Sequence, residues 1–119
     1  MRFCKTRFEG SRIAYGHHTR ELRAEGESEQ RLYLLSAWRE CPFCSDHERA
    51  ALAWTEAVTS LAARNVSDDV YKLARSQFDE RDLVNLTMAV VAINSANRIN
   101  IAFRTVPCDY QPPKRRVAT

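Results

Sequence analysis

The stretch "ECPFCSDHERAA", residues 40–51, gathers Cys41, Cys44 and His47 within two helical turns' worth of chain. Two thiols at C-x-x-C spacing can close a small disulfide ring, and the thiolate is the form that attacks. Cys44 directly precedes Ser45, and Ser45 with Glu48 makes the S-x-x-E spacing of a capping box. That places Cys44 at the positive end of a helix, where a thiolate is expected to be favoured. His47 falls in the first turn of the same helix. A protonated His47 would stabilise the thiolate and a neutral one could take its proton. In this reading Cys44 attacks a peroxide and becomes a sulfenic acid, and Cys41 resolves it to a disulfide.

Two other readings of the same residues stay open. Zinc needs four ligands in a closed site. Cys41, Cys44 and His47 supply three, and a fourth would come from Cys4, Cys108, His17, His18 or another subunit. The cysteines could also pack as small apolar residues in a loop. A separate proton-transfer candidate is Glu56, set in "ALAWTEAVTSLA". A carboxylate partly buried among apolar neighbours acquires a raised pKa, whereas an exposed Glu on the polar face does not.

The elements that carry these groups read as helices throughout. The chain of 119 residues has 45% hydrophobic and 28% charged residues and only three glycines, which is enough for one domain with a modest core. Richness in Ala, Leu, Glu and Arg favours helices, and no strand pattern competes. Residues 1–16 form an irregular lead-in. A short helix over 17–25, anchored by Leu22, ends at Gly26. Ser28 caps a helix that runs to Glu40, ahead of Pro42. The helix after Ser45 extends to about Arg64, with Ala50, Trp54, Ala57, Val58 and Leu61 as its apolar stripe. Ser67 caps another, packed through Val70, Leu73, Ala74 and Phe78. Asp79 caps the longest, which reaches about Arg104 with Leu83, Leu86, Val90, Ile93 and Ile101 at core spacing. Asn94, Asn97 and Asn100 form a row on it that reads as a solvated face. Residues 106–119 read as a flexible tail.

The long last helix is apolar around much of its circumference, so it is either central to the monomer or shared with a second subunit. The net charge of +3 is too mild for a nucleic-acid binder. No run approaches the ~20 apolar residues of a membrane span, and the start lacks the apolar core of a signal peptide. A cytoplasmic protein is expected, where a close cysteine pair serves catalysis or metal binding more often than it staples a fold.

From about His18 to Arg104 the chain resembles the AhpD-like alkylhydroperoxidase family, also called the carboxymuconolactone decarboxylase-like family. The residues that carry this are "HTRELRAEGESEQRLYLLSAWRE", "ERAALAWTEAVT" and "FDERDLVNLTMAVVAINSANRINIAFR". The resemblance implies an all-α domain over residues 17–105 that assembles as trimers or hexamers. It implies reduction of a hydroperoxide through a Cys-x-x-Cys pair, a Glu and a His, without a cofactor. Recharging would come from a dithiol or lipoyl-type reductant. By this resemblance His18 matches the motif's histidine. The motif's cysteines would then stand at Ser11 and Ala14, and neither is cysteine. The helices and the Glu that precede the motif in family members have no counterpart ahead of it. Where family members have a small polar residue and an aromatic one, this chain has Cys41 and Cys44.

Three explanations follow. The chemistry has moved to Cys41 and Cys44, with His47 assisting and His18 and Glu56 as further pocket residues. The protein is a silent helical oligomer that acts by assembly or partner binding. Or its first residues are an altered start of an active ancestor.

Overall fold

The computed structural model describes residues 19–60 and 65–105, and these are helical with no strand among them. A helical turn over 19–24 stops at Gly26, whose φ of +91° is the left-handed conformation that glycine adopts without strain. The Glu27 amide donates to the Leu22 carbonyl (2.9 Å) and the Gly26 amide to that of Arg23 (3.0 Å), a Schellman closure.

Helix α1 covers Glu29–Leu34, and the Ser28 hydroxyl accepts from the Arg31 amide at its start. The helix expected to run on to Glu40 instead tightens into a 3-10 segment over Leu35–Glu40, broken at Ala37 (φ −115°, ψ 38°). The tighter winding turns both Leu35 and Trp38 inward, where they are buried.

Helix α2, Asp46–Thr59, starts with both halves of the capping box in place. It ends at Thr59, short of the expected Arg64; residues 61–64, including Leu61, lie outside the described residues. Helix α3, Asp68–Gln77, is capped by Ser67, and helix α4, Glu80–Ala102, by Asp79. In both, a side-chain oxygen accepts from the third backbone amide, and acids fill the first turn.

The main core joins Trp38, Ala51–Trp54, Ala74, Leu83, Leu86 and Val90, with Val58, Val66, Val70 and Phe78 packed on it. Helix α2 is its axis: residues 50–55 are buried without interruption, so the helix is enclosed on more than one face. Alanines at 50, 51, 53 and 74 let α3 and α4 approach α2 closely. A second, smaller cluster joins Leu22, Leu32 and Leu35.

Two expectations fail on exposure. Leu73 and Ile101 lie outward, 41% and 55% exposed. The asparagine row is not a solvated face either. Asn97 is buried, and the Asn94 side chain donates to the Thr59 hydroxyl across the α2–α4 interface (2.9 Å). No described helix is long and apolar enough to cross a membrane.

Candidate active site

The capping box that starts α2 also builds the thiol site. Glu48 reaches back with Oε2 to accept from the Ser45 amide (2.9 Å), while the Ser45 hydroxyl accepts from the Glu48 amide (3.2 Å). Its other oxygen takes a charge-assisted bond from Arg31 Nη2 at 2.6 Å, which ties α1 to the start of α2. These bonds and the Arg31 charge outweigh burial and hold the Glu48 carboxyl below its usual value.

The loop between the 3-10 segment and α2 carries Cys41 and Cys44, both as free thiols. Cys41 is 1% exposed and Cys44 half-buried. The Cys41 side chain is close enough to Cys44 to act on its thiol. The loop is fixed by a residue that the sequence reading passed over. Arg49 projects back from α2 and its guanidinium donates to three carbonyls: that of Cys41, that of Cys44 (3.2 Å) and that of Arg39 (2.9 Å). Nothing in its sequence context distinguishes Arg49 from a solvated helix arginine.

The expected acidity of Cys44 is reversed. Its pKa is pushed up to about 11, by burial first, then by the Cys41 side chain and by the Glu48 charge; Arg31 acts in the opposite direction. A helix N-terminus favours a thiolate only within the first turn and in competition with such local effects. Here the sulfur is withdrawn from water and faces a second sulfur and a carboxylate. At neutral pH the Cys44 side chain is therefore held as the thiol rather than the thiolate.

The other expected residues separate from this pair. The His47 ring is exposed and packs on Phe78, with centroids 4.2 Å apart and an interplanar angle of 42°. The side chains acting on Cys44 are those of Cys41, Glu48 and Arg31. Glu56 is half-buried, but its carboxylate is held by Arg39 Nη2 at 2.6 Å on the 3-10 segment. His18, like His17, Cys4 and Cys108, lies outside the described residues. Among the described residues no three metal-ligating side chains converge. What this arrangement can do is exchange two electrons between the dithiol and a disulfide.

A crystal structure of a protein of unknown function from Agrobacterium tumefaciens, described there as a candidate antioxidant defence protein AhpD, superposes with a TM-score of 0.80. The match is 35% identical and covers 94% of this chain and 74% of the other. The fold is AhpD-like. The chain belongs to the same family as that Agrobacterium protein. No family model matches it. Among curated proteins it is similar to the uncharacterized protein YdfG of Bacillus subtilis, 45% identical over 85 residues. Those residues are 71% of this chain but 58% of YdfG. The AhpD-like fold accounts for the packing of α2 between α3 and α4.

Proposed function

We propose that this chain is an antioxidant thiol protein of the AhpD kind, which reduces hydroperoxides through Cys41 and Cys44. The observation that carries the reading is the pair of unpaired thiols in mutual reach on a loop pinned by Arg49. The description of its Agrobacterium relative supports the same general role.

Cys44 is the attacking sulfur because it is the more accessible of the two. After losing its proton, the thiolate attacks the distal peroxide oxygen. The O–O bond breaks, the alkoxide takes a proton and leaves as the alcohol, and Cys44 becomes a sulfenic acid. The Cys41 sulfur then attacks Cys44, the hydroxyl leaves as water, and a disulfide closes. A small dithiol or lipoyl-type reductant returns two electrons and two protons by exchange. With the Cys44 pKa near 11, only a small share of the thiol is ionised at neutral pH. The reaction is thus slow there and rises with pH. Free thiols suit a reducing compartment such as the cytoplasm.

The test is hydroperoxide consumption by the purified chain with dihydrolipoamide as reductant. Turnover abolished by Cys44→Ser, with sulfenic acid trapped in Cys41→Ser, is the expected result. Consumption unchanged in Cys44→Ser would remove the reading.

A further inference from the structure

Arg49 stands in the first turn of α2, where its amide donates to the Ser45 carbonyl (2.9 Å). The buried run of residues 50–55 follows it directly, so its backbone is mounted on the most enclosed helix of the molecule. Its side chain turns back to the loop. Nε donates to the Cys44 carbonyl (3.2 Å), Nη2 to the Cys41 carbonyl, and Nη1 to the Arg39 carbonyl (2.9 Å). Nε and Nη2 are the paired donors of one edge of the rigid guanidinium plane. One edge therefore spans the backbone of both cysteines. None of these bonds goes to a sulfur, and among the described residues Arg49 makes no ion pair.

Closing a C-x-x-C ring costs the rotational freedom of the backbone between the two sulfurs. Pro42 fixes one φ within it. A clamp on the two end residues removes more. Preorganisation of this kind raises the effective concentration of one thiol at the other.

We propose that Arg49 is the positioning residue of the thiol couple: it clamps the carbonyls of Cys41 and Cys44 so that their disulfide closes more readily than in a free loop. The proposal rests on the reading of Cys41 and Cys44 as a redox couple. In the step concerned, each thiol gives up a proton, the pair gives up two electrons, and one S–S bond forms. An external disulfide takes both electrons and both protons and becomes two thiols. Arg49 is itself unchanged.

Equilibration of the Cys4→Ser/Cys108→Ser chain with mixtures of glutathione and glutathione disulfide tests it. Intact mass after acid quenching separates dithiol, intrachain disulfide and glutathione adduct. Arg49→Gln should lower the equilibrium constant for the intrachain disulfide by about tenfold. Arg49→Lys should lower it too, because an ammonium lacks the two-donor edge. In urea that unfolds the chain, parent and variants should agree, since the clamp exists only in the fold. Ser67→Ala weakens the cap of α3, at the opposite end of that helix from the Phe78–His47 contact, and should keep the parent's constant. A constant in Arg49→Gln equal to or above the parent's would overturn the proposal. So would a lysine variant that matches the parent, a difference that survives in urea, or an equal drop in Ser67→Ala. A parent that yields only glutathione adducts would remove the couple itself, whereas unchanged constants in the Arg49 variants would leave the couple standing.

Discussion

Three side chains around one loop bear on how Cys44 behaves: Glu48 and Arg31, whose charges act on its thiol, and Arg49, which holds the loop by its carbonyls. Glu48 raises the thiol pKa by its charge and Arg31 lowers it. Glu48→Gln keeps a residue able to close the capping box but removes the negative charge. Cys44 should then be alkylated faster at pH 8, and Arg31→Gln should slow it, both read by iodoacetamide kinetics. An order reversed between the two variants would refute this electrostatic assignment. The same shift sets a pH dependence of stability. The folded thiol titrates near 11 and an ordinary one near 9.0. Between those values the unfolded chain has lost the proton that the folded chain keeps. Stability therefore falls as pH rises from about 9 to about 11, with no contribution from this group below that window. Melting temperatures of the parent should decline across it more steeply than those of Cys44→Ser. Arg49→Gln withdraws a charged donor from three carbonyls and should cost about 1–3 kcal/mol in urea unfolding while speeding alkylation of Cys44. Glu56→Gln, which loses an ion pair with the 63% exposed side chain of Arg39, should change stability by less than about 1 kcal/mol. It should leave thiol reactivity as it was.

Each helix begins where a capping residue says it should. Ser28, Ser45, Ser67 and Asp79 all accept the expected amide. Ser45→Ala should cost about 1 kcal/mol, and its effect should reach the thiols because the same cap carries Glu48. Gly26→Ala meets no steric contact but forces φ of +91° on an L side chain, for roughly 1–2 kcal/mol. Caps were legible in the sequence because their partners lie three residues away. Helix ends were less so. The change to 3-10 winding at Leu35 follows from seating Leu35 and Trp38 together in the interior, which no local signal states. The full burial of residues 50–55 likewise depends on α3 and α4 flanking α2; the uncharged run "AALAWT" was its only trace. Asn97 and Asn94 were misread for the same reason, since an amide on a helix face reads as wet until a neighbouring helix covers it. The nearness of Cys41 and Cys44 was legible from their spacing. The sign of the Cys44 shift was not, because burial and the Glu48 charge are tertiary facts.

At the scale of the molecule, an AhpD-like arrangement of helices holds the loop at the start of its most enclosed helix. That location shelters the thiols and predicts that their reactivity follows the stability of the core. Leu52, 1% exposed at the centre of α2, tests the tie. Leu52→Ala should lower stability by about 2–5 kcal/mol and expose both thiols to a bulky aromatic disulfide reagent in parallel with the loss. The central claim is that the two sulfurs work as one two-electron couple. Its most direct test is the intact mass of the Cys4→Ser/Cys108→Ser chain after one equivalent of hydroperoxide. The account predicts the loss of two hydrogens and of both titratable thiols together, restored by a dithiol. A chain that keeps both thiols, or gains one oxygen that never resolves, would contradict it.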